Sequence, residues 1–231
     1  SDISYTGGNI GQYVFNANVK IYDTYIDEVD SIYYSDTYRN QYHYSQFAHW
    51  NNDPNGMVYY NGYYHLYYQT NPYDKQWGDM YWGHARSTDL IHWEELPIAL
   101  FPDDSSNALG AAGTGYAWSG CAMVYHKGMS SVIDNANWFS GESGLLGYYT
   151  RDGWESQDQV IITSDDEGLT WTKRALIPQS ILLSGRKKDC RDPGIFPVKK
   201  DANNVVTKWG MTLSSQGLNK VFMLQSDDLV N

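Results

Sequence analysis

Two aspartates, each set directly before a proline, are the residues of this chain best suited to chemistry. Asp53 lies in His49-Trp50-Asn51-Asn52-Asp53-Pro54-Asn55-Gly56 and Asp192 in Cys190-Arg191-Asp192-Pro193. Proline fixes its own φ and biases the residue before it towards extended backbone, so each carboxylate is held on a rigid corner. Two fixed carboxyl groups are the equipment with which a glycosidic bond is broken, one group attacking or stabilising and another moving a proton. Taken singly, the first motif also reads as a tight turn and the second as a loop with a local ion pair. The two motifs in this order point to a carboxylate sugar-cleaving site.

Other blocks follow in a fixed order: Tyr68-Gln69-Thr70-Asn71-Pro72, Trp82-Gly83-His84, Ser87-Thr88-Asp89-Leu90-Ile91-His92-Trp93 and Trp118-Ser119-Gly120-Cys121-Ala122. With the two Asp-Pro motifs they resemble the retaining β-fructofuranosidases of glycoside hydrolase family 32, the invertases, inulinases and levanases. The resemblance runs from about Gln41 to the last residue and covers the N-terminal half of that family's catalytic domain. It implies an all-β, five-bladed β-propeller, of which residues 41–231 supply about the first two and three-quarter blades. The activity it implies is hydrolysis of terminal β-D-fructofuranosyl bonds in sucrose or in fructans such as inulin and levan. A fructosyltransferase of the same family, or a non-catalytic fructan-binding protein, stays open as an alternative.

Residue by residue, the resemblance makes Asp53 the nucleophile and Asp192 the transition-state stabiliser. Asn52, Gln69, Trp77, Ser119 and Arg191 fall at positions that bind the terminal fructose. A buried Gln69 or Ser119 serves local backbone equally well, and Trp77, Trp82 and Trp118 also suit a blade core. Two positions depart from the family pattern: Asn51 stands where Met is usual and Cys190 where an aromatic residue is usual. The family's general acid, a Glu in a Glu-Cys pair beyond Arg-Asp-Pro, has no counterpart, since no Glu-Cys occurs in the chain and every glutamate precedes Arg191. The 231-residue segment is therefore expected to be inactive alone.

Composition excludes several other classes. The balance of 16 Lys and Arg against 27 Asp and Glu gives a net charge of −11, which repels nucleic acid and anionic membranes but is indifferent to neutral sugars. The 21 Tyr and 9 Trp suit both strands and sugar stacking. Cys121 and Cys190 are too few for a disulfide scaffold and have no metal-ligand spacing, and the six histidines form no HExxH-like pair. No metal or cofactor is expected, and the cysteines read as buried thiols. No apolar stretch is long enough to span a membrane, and the 231 residues contain no signal peptide. An extracellular or cell-surface location is what the resemblance implies.

The elements that must position these residues are strands. Met57–Tyr60 and Tyr63–Tyr68 flank Asn61-Gly62, the pattern of a type I′ hairpin. Further strands are expected at Tyr81–Ser87, Trp93–Ala99, Tyr116–Tyr125, Leu145–Thr150, Gln159–Ser164, Trp171–Leu176, Gly194–Lys199, Val205–Ser214 and Lys220–Ser226, with no amphipathic helix between them. An internal repeat supports blades without reference to any family. Ser87-Thr88-Asp89-Leu90-Ile91-His92-Trp93 recurs loosely at Ser164–Trp171 and begins again at Ser226-Asp227-Asp228-Leu229, each copy following a strand that ends in Ser. Asp103, Asp104, Asp165, Asp166 and Glu167 read as solvated loop carboxylates. Residues 1–40 form a separate segment, with short strands at Val19–Asp23 and Tyr25–Val29 that suit the end of a preceding β-sandwich module or a linker.

Overall fold

A computed structural model describes residues 37–40, 43–103, 115–153, 156–179, 189–203 and 205–231. The strands expected near residues 19–29 lie outside these residues, as does Asp104. The described strands form three antiparallel sheets, each ordered as it runs along the chain. The first holds β1 (Trp50–Tyr60), β2 (Tyr63–Asn71), β3 (Tyr81–Ser87) and β4 (Glu94–Leu100). The second holds β5 (Tyr116–His126), β6 (Ser143–Asp152), β7 (Gln157–Ser164) and β8 (Thr172–Ile177). The third holds β9 (Arg191–Lys200), β10 (Val206–Ser215) and β11 (Lys220–Ser226). The leading strands lie side by side, β1 against β5 and β5 against β9, which is how the blades of a propeller surround a channel.

The hairpin turn is the type the sequence demands, with Asn61 at φ 48° and Gly62 at φ 90°. Two short helical elements among the described residues were not foreseen, a 3-10 turn at Gln216–Leu218 and α1 (Ser131–Asn135), a single turn capped by the Ser130 hydroxyl, which accepts the Ile133 N–H at 3.3 Å. It drops Ile133 into the contact between the second and third sheets. The helix is too short to show a 3.6-residue period in the sequence.

The second sheet is buried on both faces, and its residues divide by parity. Leu145 and Tyr149 of β6, with Val160 and Ile162 of β7, pack towards the first sheet around Tyr67, Trp82 and Trp171. Leu146 and Tyr148 of β6, with Ile161 of β7, pack towards the third sheet around Cys190, Trp209 and Leu213. Period-two alternation between two apolar environments yields the nearly continuous apolar runs of these strands. Gly120 permits the closest approach, because a Cβ there would stand 2.0 Å from the Tyr148 carbonyl oxygen.

The Ser-x-Asp repeat is one turn built three times. Ser87, Ser164 and Ser226 end the third strands; each donates to the aspartate two residues on, at 3.1, 2.7 and 3.1 Å. Each serine oxygen also accepts a turn N–H, from Leu90, Gly168 and Leu229 respectively. All three turn residues have φ between 66° and 83°. The turns serve as latches between blades: the Tyr67 hydroxyl donates to the Gly168 carbonyl at 2.9 Å and the Tyr148 hydroxyl to the Leu229 carbonyl at 2.7 Å. In both cases a buried tyrosine on the second strand of one blade grips the turn of the next.

Asp103 is not a solvated loop carboxylate. Its side chain is 1% exposed and is bonded to Arg151 of β6 and Lys173 of β8. Arg151 also bonds Asp158 at 3.1 Å. These partners are 48 and 70 residues away in sequence, so nothing local announces them. Asp165, Asp166 and Glu167 are exposed as expected, and Asp166 also braces its own turn, accepting from Ser164 and from Thr170.

Candidate active site

The leading strands share an irregularity at the place where the candidate residues sit. On β1 the pairing moves from Asn51 to Pro54 while β2 moves only from Thr70 to Tyr68. On β5 it moves from Ala117 to Gly120 while β6 moves from Arg151 to Tyr149. On β9 it moves from Arg191 to Gly194 while β10 moves from Ser214 to Thr212. One extra residue in each leading strand is a β-bulge, which breaks the pleat and re-aims side chains. The bulged pairs are Asn52-Asp53, Trp118-Ser119 and Asp192-Pro193. Three successive blades thus turn the same short stretch of backbone towards one place.

Asp53 and Ser119 meet there across two blades. The Ser119 hydroxyl donates to Asp53 Oδ2 at 2.7 Å. That bond, helped by the Asn52 amide and the positive charge of Arg191 and opposed by partial burial, holds the Asp53 carboxyl below its ordinary range. Asp53 is therefore an ionised, solvent-facing carboxylate. Asn52 is exposed and accepts the Trp50 indole N–H at 2.7 Å. Beneath the pair, buried Asn55 accepts the Gly120 N–H at 3.2 Å and ties the β1 and β5 bulges together.

Asp192 completes the group from the third blade. Its pKa is raised, chiefly because the surrounding protein removes water from the carboxylate, and the charge of Asp53 adds to the effect. The Ser214 hydroxyl, donating to Oδ2 at 3.1 Å, and Arg191, with Nε 3.6 Å from the same oxygen, work in the opposite direction. The two aspartates and Arg191 thus lie within one another's fields, though Asp53 and Asp192 are 139 residues apart. Their environments push the two carboxyl groups in opposite directions, the usual arrangement where two acids divide a task.

Arg191 is held by a residue that the sequence did not single out. Asp189 accepts from Arg191 Nη1 at 2.8 Å, from the Ser215 hydroxyl at 3.2 Å and from the N–H groups of Gln216 and Gly217. Arg191 Nη2 reaches Gln216 Oε1 at 3.0 Å. The guanidinium is consequently braced on one side while its Nε faces Asp192.

The remaining candidates separate into wall and support. Gln69 is buried, and its amide donates to the Ala117 carbonyl at 2.9 Å, next to the β5 bulge, so this side chain supports backbone. Trp77 is 55% exposed and meets Trp118 edge-on at 6.2 Å between centroids, which rules out a core role and makes it an aromatic edge beside Ser119. Trp82 is fully buried, with its indole N–H on the Trp118 carbonyl at 2.9 Å. Cys121 and Cys190 are free thiols, both pushed up to about 11 by burial, and Cys190 belongs to the core directly under the Arg191-Asp192 turn. Among the described residues no group of His, Cys, Asp and Glu is placed to hold a metal ion.

Antiparallel sheets that set their leading strands side by side, with bulged aspartates on two of them, make this part of a β-propeller. The chain belongs to the glycosyl hydrolases family 32: the model of that family's N-terminal domain matches residues 43–231. It is 44% identical to a levanase of Bacillus subtilis over 189 residues, which is 82% of this chain and 25% of that protein. It is 34% identical to an extracellular exo-inulinase of Aspergillus niger over 216 residues, covering 85% of this chain and 37% of that one. The solved exo-inulinase of Aspergillus awamori superposes with a TM-score of 0.66 at 32% identity, over 86% of this chain and 39% of the other. The chain thus spans well under two thirds of the length of these relatives.

Proposed function

We propose that this chain supplies the nucleophile and the transition-state stabiliser of a retaining, secreted hydrolase acting on terminal β-D-fructofuranosyl bonds of sucrose or fructans. The observation that carries the proposal is the opposed electrostatics of Asp53 and Asp192 on matching bulges of first and third blades. The ionised Asp53 attacks the anomeric carbon, and the bond to the leaving oxygen breaks as that oxygen receives a proton. Water then attacks the fructosyl-enzyme, gives its proton to the residue that first donated one, and frees the Asp53 carboxylate. Asp192 and Arg191 grip the ring hydroxyls, and the carboxylate of Asp192 stabilises positive charge as it develops at the anomeric carbon. Asn52 and Ser119 orient the sugar and the nucleophile, and Trp77 walls the entrance.

The proton donor is assigned to a residue outside this chain. The four described glutamates all serve elsewhere: Glu94 pairs with Arg86, Glu95 accepts the Phe47 N–H, Glu142 pairs with Lys127 and Glu167 accepts from Asn61. The proposal is tested with Asp53→Asn in the full-length protein, assayed on sucrose, inulin and levan. This isosteric change removes the nucleophile and keeps the volume, so turnover falls on the order of 10⁴-fold or more while the melting temperature holds. A variant retaining a tenth of the parent rate excludes Asp53 as nucleophile.

A further inference from the structure

The turn that carries Arg191 and Asp192 is held from beneath by three side chains of the second blade that the chemistry above does not use. Gln157 Oε1 accepts the Cys190 N–H at 2.8 Å, and Gln159 Nε2 donates to the Cys190 carbonyl at 2.9 Å. Thr150 Oγ1 accepts the Asp192 N–H at 3.0 Å and donates its own proton to Gln159 Oε1 at 2.9 Å. Gln159 Nε2 also donates to the Gln157 carbonyl at 3.1 Å, so the amide is bonded at both ends and cannot flip without losing partners. Thr150 and Gln159 are fully buried and Gln157 is 4% exposed.

What this network holds is an unfavourable backbone. Asp189 and Asp192 stand at φ 70° and 61°, in the left-handed region that favours glycine. Such conformations persist where surrounding structure over-determines them, and they gather at functional sites. Parity places Thr150, Gln157 and Gln159 on the same face of β6 and β7 as Leu146, Tyr148 and Ile161, which enter the core. Polar groups on an apolar face are tolerated only when fully bonded, and here their partners are the backbone groups on either side of Arg191.

We propose that Thr150, Gln157 and Gln159 are positioning residues that set where the Asp192 carboxylate stands relative to Asp53. Because the Thr150 proton is committed to Gln159, a lone pair is left to receive the Asp192 N–H, and the left-handed turn is fixed from the core side. Ser214 and Arg191 fix the carboxylate from the other side. The inference rests on the role of Asp192 proposed above, and its test keeps the two apart.

The experiment compares Thr150→Val, Thr150→Ser, Gln159→Met and Asp192→Asn in the full-length protein on sucrose, with rates taken per folded molecule from circular dichroism and active-site titration. Thr150→Val keeps shape but strands the Asp192 N–H. Its kcat is expected to fall about 10²-fold, the scale of a misplacement near 1 Å, with KM within about threefold. Thr150→Ser restores the hydroxyl and stays within about threefold of the parent in kcat. Gln159→Met repeats the loss and carries the test alone if Thr150→Val does not fold. A kcat within threefold of the parent for the variant that folds, a loss confined to KM, or a serine variant as poor as valine overturns the positioning role. Full kcat in Asp192→Asn overturns the role of Asp192 itself.

Discussion

Replacing Asp103 with asparagine removes a carboxylate shared by two buried cations. The side chains of Asp103, Arg151 and Lys173 are 1%, 9% and 6% exposed, so little water is available to take over from the missing charge. Arg151 keeps Asp158 at 3.1 Å, but the node joining the end of the first blade to β6 and β8 is lost. Removing one partner of a buried ion pair costs about 3–5 kcal/mol. For a cooperative unit of about 150–250 residues each kcal/mol lowers the melting temperature by about 2–4 °C, and by less in a larger one, so the fall is expected to reach at most about 6–20 °C. Differential scanning calorimetry of the full-length protein measures it, with Asp165→Asn as control. Asp165 is exposed and among the described residues accepts the Ser140 N–H at 3.2–3.4 Å, so its loss is expected to stay within about 0.5 kcal/mol. The deficit should persist at 1 M salt, because a buried pair is poorly screened. A fall equal to that of the control, or one that salt removes, would refute the reasoning and place the three charges in contact with solvent.

Ser119→Ala removes the largest influence holding the Asp53 pKa down, so that pKa rises towards the raised one of Asp192. On the roles proposed above, the parent's acid limb of kcat/KM is expected to follow Asp192, whose pKa is raised, with Asp53, whose pKa is lowered, still ionised there. In the variant both carboxyl groups titrate in that limb, and its slope on a logarithmic plot steepens from one proton towards two; an unchanged slope and midpoint would count against the assignment. The stability contribution of Asp53 has the matching sign: present above the ordinary aspartate range, lost as pH falls through the depressed value, and diminished in the variant. The two thiols, both at about 11, should react with alkylating agents at pH 7.5 about 10²-fold more slowly than free cysteine until the protein is unfolded, and fast modification of either in the native state would contradict their burial.

The strands were legible in the sequence because alternation and turn residues are local signals. Tyr81–Ser87 and Lys220–Ser226 were placed without error, and the other strand ends moved by at most three residues, except the start of β1, which lies seven residues before Met57. The repeated Ser-x-Asp turn was legible for the same reason, since its hydrogen bonds lie within six residues. The bulges were not, because one extra residue in a pairing register leaves no mark on hydrophobicity. Asp53, Ser119 and Arg191-Asp192 could be named from motifs, whereas Asp103, Asp189, Thr150, Gln157 and Gln159 depend on partners that only the fold supplies. Parity gave one unused hint: the face that carries Leu146, Tyr148 and Ile161 turns polar at Thr150, Gln157 and Gln159.

The tyrosine latches impose a timetable on biosynthesis. Tyr67 waits for Gly168, 101 residues later, and Tyr148 for Leu229, 81 residues later. At ribosomal rates of about 5–20 residues per second, the first phenol is without its carbonyl for about 5–20 s after it is made. The first and second blades are therefore each completed by their successor, and until that successor is made the second strand of each lacks its acceptor. A pause in translation within residues 100–168 would lengthen the exposure of the first blade, and a domain-swapped neighbour offering the same turn would be the natural competitor for its hydroxyl.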